Sequence, residues 1–159
     1  MKEKFKQVVY AALADIFGTM FFTPIEPVDE MPPKDQWLEG ASYIEARIEV
    51  TRKETATIIL YFPYELARKV CANFMGVDKA LLEEKQVVDT VKEAANMTVG
   101  GVLGVIDPCA TCTLGIPSSR LVTDFSPEVL AGKACAAVYE TEFGYMWMDC
   151  GTIEMCDSR

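Results

Sequence analysis

The chain has 159 residues, half of them apolar and a quarter charged, with a net charge of −9 and no histidine. At this length folding buries roughly 70% of the unfolded surface, enough for one domain without disulfide or metal staples. So acidic a chain excludes general nucleic-acid binding, because nothing would neutralise phosphates, and the missing histidine leaves carboxylates, amides, hydroxyls and thiols for any chemistry.

Val9, Leu13, Ile16 and Met20 recur at helical spacing and predict a first helix from about Lys4 to Phe22; Glu3 and Asp15 interrupt what would otherwise read as a secretory signal. Pro24, Pro27, Pro32 and Pro33 stop that helix, so EPVDEMPPKDQWLEG is expected to be a surface connection across an edge of the fold. In YIEARIEVTRKETATIILYF, Ile44, Ala46, Ile48 and Val50 alternate, then Ala56, Ile58 and Leu60 after a polar turn, which predicts a hairpin with one buried face. PYELARKVCANFMG reads as a helix with proline in its first turn and Gly76 at its end. A connection holding Asp78, Glu83 and Glu84 leads into the long helix VVDTVKEAANMTVGGVLGVID.

Beyond that helix, CATCTLGIP predicts a short segment ending in a proline turn, and GKACAAVYETEFGYMWMDCGTIEM a second hairpin turning near Thr141 to Gly144. The order is helix, connection, hairpin, helix, then helix, connection, hairpin. It predicts an α+β fold of duplicated helix–hairpin units, with an antiparallel sheet carrying long helices on its one apolar face. No charge-free run is long enough to span a membrane, and six cysteines without a secretory signal suit a reducing cytoplasm.

On the long helix, Val88, Val91, Ala95, Val99, Val102 and Ile106 form an apolar stripe at 100° per residue. Asp89, Glu93, Asn96 and Gly100 form a second stripe roughly 110° away, on a flank that is exposed yet next to the core. Any amphipathic helix has a wet side, and an Asp in the first turn suits the helix dipole. Asn is nonetheless a poor helix former, and Thr98, Gly100 and Gly101 leave little bulk where another backbone could approach. Lys92 is the sole basic residue between Lys85 and Arg120.

The pattern Asp-x-x-x-Glu-x-x-Asn at Asp89, Glu93 and Asn96, followed by Pro117, resembles the signature of the CheC/CheX/FliY family of chemotaxis phosphatases. The proline comes a residue or two early, and KEAANMTVGG is similar to the family's stretch around its active Asn. The first helix has no Glu-x-x-Asn, and a single motif per chain resembles the CheX branch. The resemblance implies one CheX-like domain over residues 1–159 that acts in the cytoplasm, as a homodimer built through its sheet. It implies hydrolysis of the aspartyl phosphate on a CheY-like response-regulator receiver domain, with Asn96 holding the water and Glu93 pairing with the receiver's lysine. Asp89, Gly100 and Pro117 would face the partner, Mg²⁺ would come from the receiver, and this chain would hold no metal of its own. A non-catalytic receiver-binding module is the alternative. Cys109-x-x-Cys112 offers a rival redox pair or half a zinc site, needing further ligands from Cys71, Cys135, Cys150 or Cys156. Otherwise the thiols are small buried apolar groups.

Overall fold

The computed structural model describes residues 2–37, 40–133 and 135–151. Helix α1 spans Lys2–Thr19 and stops short of Phe22, whose φ of 51° takes the chain out of the helix while Thr23 N–H donates to the Phe17 carbonyl. The proline-bearing connection is not wholly irregular: Glu26–Val28 form strand β1, with Pro27 tolerated because the strand lies at an edge. Strands β2 (Tyr43–Thr51) and β3 (Thr55–Pro63) make the expected hairpin, with Ile48 opposite Ile58. Helix α2 (Tyr64–Met75) takes Pro63 as its N-cap rather than inside the first turn, and Gly76 closes it at φ 68°.

Helix α3 (Glu84–Ile106) opens on a capping box in which the Glu83 N–H donates to the Gln86 side chain at 2.9 Å. This start sets Asp89 beyond the first turn, so it has no helix-start role. Four more strands follow: β4 (Thr113–Leu114), β5 (Ser118–Val122), β6 (Ala136–Thr141) and β7 (Gly144–Asp149). Within CATCTLGIP the strand is Thr113–Leu114, and the chain becomes strand again as β5 directly after Gly115, Ile116 and Pro117.

All pairings are antiparallel, in the order β1-β6-β7-β3-β2, with β4 and β5 both on the outer side of β2. The duplication is visible in this order. Each unit supplies a helix, a short strand and a hairpin; β1 of the first pairs with the hairpin of the second, and β5 of the second with the hairpin of the first. The two hairpins meet at β3 and β7 in the centre.

Helices α1, α2 and α3 share one core with the sheet face bearing Ile44, Ala46, Ile48, Leu60, Tyr139 and Met146. The expectation of a single apolar face is corrected by the other side. There Tyr43, Tyr61, Val138 and Trp147 are buried beneath Trp37 and Phe125, which come from the two longest connections. Phe125 stacks on Tyr61 with ring centroids 3.9 Å apart. Alternation assigns those strand residues to the outward face correctly; only the chain folding over them makes that face dry. Glu45 is buried on this side, where burial pushes its carboxyl up but hydrogen bonds from Arg47 at 2.6 Å and Arg120 at 3.2 Å outweigh it and hold it below the ordinary value.

The turn from α3 to β4 hangs on one carboxylate. Asp107, the residue closing α3, accepts from the Thr111 hydroxyl at 2.6 Å and the Cys112 N–H at 2.7 Å. Those bonds favour the charged form and bring its pKa from 3.8 to about 2. A folded value below the unfolded one stabilises fully above the ordinary carboxylate range and is lost as pH falls from 3.8 toward about 2. Asp107→Asn is expected to lower stability at neutral pH and to flatten the acid limb in that window. A pH series of urea titrations on both proteins checks it, and parallel acid limbs would refute the assignment.

Candidate functional site

Helix α3 is buried along a wide arc from Val87, Thr90 and Val91 through Ala94, Ala95, Thr98 and Val99 to Val102 and Ile106. The arc is broader than the predicted stripe because α2 packs beside the helix as well as the sheet beneath it, through Cys71, whose thiol lies 3.2 Å from the Thr90 hydroxyl. Val88 is only half-buried. The remaining face carries Asp89 and Glu93, both exposed, then Asn96 and Gly100, both half-buried. Among the described residues no hydrogen bond or ion pair engages the side chains of Glu93 or Asn96. Two unengaged polar groups thus stand within one turn of each other on a helix whose opposite side is locked in the core.

The two flanks of this face differ. On one, α1 approaches closely enough that a Cβ on Gly101 would meet Ile16 Cδ1 at 3.0 Å. On the other runs the outer edge of the sheet, tied to α3 at two points. Ser119 Oγ donates to the Val88 carbonyl at 2.8 Å, and the Asp107 turn joins the far end of the helix to Thr113. From Thr113 to Ser119 the edge runs beside β2 from Thr51 back to Ala46, roughly 17 Å of strand. From Ile106 back to Val88 the helix covers roughly 27 Å. Helix and edge therefore run antiparallel between these two ties.

The edge is bulged between its two ties to α3. Leu114 pairs with Val50 and Ser118 with Arg47, so Gly115, Ile116 and Pro117 stand opposite Ile48 and Glu49 alone. The Gly115 N–H still donates to the Glu49 carbonyl at 2.7 Å, and a Cβ there would crowd the Glu49 backbone at 3.3 Å. One extra residue bends an edge and re-aims its side chains. Asp89 and Gly100 lie one turn to either side of Glu93 and Asn96 along α3, and Pro117 stands in the bulge of the edge, two residues before Ser119, which is tied to α3 at Val88. Ser119, which pins the edge to α3, carries no motif; an alternating serine in a strand gives no sign of its partner.

Residues 44–140, from β2 into β6 and including Glu93, Asn96 and Pro117, match the family described as chemotaxis phosphatase CheX. The chain belongs to the CheX family. No curated protein sequence matches it. Solved structures with the same fold include the CheX of Vibrio vulnificus, with 18% identity, a TM-score of 0.67, and 91% of this chain and 96% of that one covered. The CheX–CheY–BeF3–Mg²⁺ complex from Borrelia burgdorferi aligns with 12% identity and a TM-score of 0.64, over 92% and 96% of the two chains. FliY of Thermotoga maritima aligns at 13% identity and a TM-score of 0.62, over 94% and 87%. The antiparallel sheet and its helices are those of the CheX and CheC-like fold.

Among the cysteines of this CheX-family chain, Cys135 and Cys150 are neighbours, the Cys150 N–H donating to the Cys135 carbonyl at 3.0 Å. Cys71 and Cys150 are buried, Cys112 and Cys135 half-buried, and Cys109 exposed. Burial pushes the Cys150 thiol up to about 12, the character of a packing group rather than a nucleophile. Cys156 lies outside the described residues. Among the described residues no cluster of three His, Cys, Asp or Glu side chains could hold a metal, and no helix is long and apolar enough to cross a membrane.

Proposed function

We propose that this CheX-family chain hydrolyses the aspartyl phosphate of a CheY-like receiver domain, with Asn96 and Glu93 as its catalytic pair. The observation that carries the reading is the unengaged amide of Asn96 beside the unengaged carboxylate of Glu93, on a helix face with little side-chain bulk. In-line hydrolysis forms a bond from the water oxygen to phosphorus and breaks the bond from phosphorus to the aspartyl oxygen, releasing phosphate and a carboxylate. That reaction needs a held water more than a strong base. Asn96 accepts a hydrogen from the water without bringing negative charge toward the phosphoryl group. Glu93 pairs with the receiver's lysine and sets the docking register, with Asp89 extending the acidic row and Pro117 rimming it. Mg²⁺ belongs to the receiver, where it neutralises phosphoryl charge. A relative of this fold is found in complex with CheY and Mg²⁺, which supports that choice of partner. The same reading puts the chain in the cytoplasm, as a homodimer joined through a sheet edge.

The deciding experiment is phosphate release from a phosphorylated receiver by the wild type, Asn96→Ala and Glu93→Ala. Equal rates for all three would refute the reading, and receiver binding without any release would make the chain a docking module. Gly100 gives a separate check, because nothing lies within 4 Å of a Cβ built there. Gly100→Ala is expected to raise stability by about 0.5–1 kcal/mol through helix propensity. Gly100→Leu is expected to raise the KM for the receiver about tenfold, through overpacking of at least ~1 kcal/mol at the contact. An unchanged KM in the leucine variant would remove Gly100 from the docking surface.

A further inference from the structure

We infer that Cys135 and Cys150 form a reversible disulfide site, closed by a small-molecule disulfide and reopened by thiols. The two residues stand opposite each other across the β6–β7 hairpin, one step beyond the pair Ala136 and Asp149, and the Cys150 N–H donates to the Cys135 carbonyl at 3.0 Å. Opposite residues of a hydrogen-bonded antiparallel pair have Cα atoms roughly 5.5 Å apart, within the span a disulfide bridges, and project from the same face of the sheet. Here that face is the helix side: Cys150 belongs to the core there, and Cys135 packs against it half-buried. Burial, and after it the Cys135 thiol, are the leading causes of the raised Cys150 value. Among the described residues no third ligand turns the pair into a metal site.

The hairpin end is held around this pair. Lys133 Nζ donates to one Asp149 carboxylate oxygen at 2.6 Å and the Gly151 N–H to the other at 3.0 Å. Gly151, at φ 60°, lies so close to β3 that a Cβ would meet the Thr57 carbonyl at 2.9 Å. Cys150 is thus fixed between two anchored neighbours while it faces Cys135. Exposure orders the chemistry. Cys135, the more exposed thiol, attacks a sulfur of oxidised glutathione, forming a mixed disulfide and expelling one glutathione thiolate. Cys150 then attacks the Cys135 sulfur and expels the second. Each departing glutathione takes up the proton its protein thiol lost, so two protein thiols are oxidised and one small disulfide is reduced to two thiols. Burial makes Cys150 a poor target for oxidants in solution, and its place opposite Cys135 supplies the proximity that the second step needs. In a reducing compartment such a pair rests as thiols, so the bond responds to oxidant rather than stapling the fold permanently.

The test incubates the full-length chain with oxidised glutathione or with dithiothreitol, alkylates the free thiols, and digests after glutamate without reduction. Glu128, Glu140, Glu142 and Glu154 put Cys135, Cys150 and Cys156 in separate peptides. The expected product joins residues 129–140 to residues 143–154 and disappears on reduction. It is expected to raise Tm by roughly 5–10 °C, the effect of closing a loop of this length in a chain of this size. Cys135→Ser is expected to show neither the linked peptide nor the shift. Four results would overturn the inference: a link that runs to Cys109, Cys112 or Cys156 instead, glutathione retained on Cys135 without closure, a link that forms only in urea, or both thiols still free in excess oxidant. All four are read on the wild-type chain, so the outcome does not depend on how well a variant folds.

Discussion

Asn96→Ala is expected to slow phosphate release from a phosphorylated receiver by about a hundredfold or more, since misplacing a reacting group by 1 Å is enough for that. The fold should not register the change. The Asn96 side chain bonds to no other described residue, and alanine is the better helix former by up to about 0.7 kcal/mol, so the melting temperature is expected to hold or rise slightly. Asn96→Asp separates holding a water from general-base chemistry. It keeps the shape but sets a negative charge before an anionic phosphoryl group, and its rate is expected to fall with that of alanine. Glu93→Ala should act differently, through the KM for the receiver, because its proposed role is docking. Stopped assays that resolve kcat from KM on one receiver check all three. An Asn96→Ala variant at wild-type kcat would show that the water is held by another group.

Trp147→Ala is expected to cost about 3–5 kcal/mol of stability, the range for emptying a large aromatic site. Trp147 is 0% exposed although it lies on the sheet face away from the helices, and Trp37, Phe125 and Tyr145 all meet it edge-on at 6.0–6.4 Å between ring centroids. Were that face wet, the same substitution would cost less than about 0.5 kcal/mol. Urea unfolding followed by far-UV circular dichroism distinguishes the two, since it does not depend on the tryptophan removed. At a temperature where the variant is folded, its kcat should match wild type, because α3 and its polar row lie across the sheet.

What could be read from the residues divides along physical lines. The β2–β3 hairpin and its turn were legible because period-two alternation at Ile44, Ala46, Ile48 and Val50 depends only on one face being dry. So was the long helix with its odd asparagine, since helix propensity is a local quantity. Strand β1 was not legible: three residues around a proline carry no periodicity, and their strand character comes from pairing with β6 over a hundred positions away. The same holds for β5, whose SSRLV has a weak pattern until β2 supplies its partner.

The sequence by itself determined the three helices and the two hairpins, the acidic row at Asp89, Glu93 and Asn96, and the kind of chemistry open to a chain without histidine. These follow from side-chain identity and from spacing along one helix, both local. Only the tertiary structure decided that the sheet is dry on both faces at its centre. It alone decided that the strand following Pro117 is tied to α3, through Ser119 at Val88. Both facts depend on antiparallel placement of segments remote in the chain, held by contacts such as Ser119 to Val88 and Phe125 over Tyr61, and no local pattern encodes which remote segment will arrive.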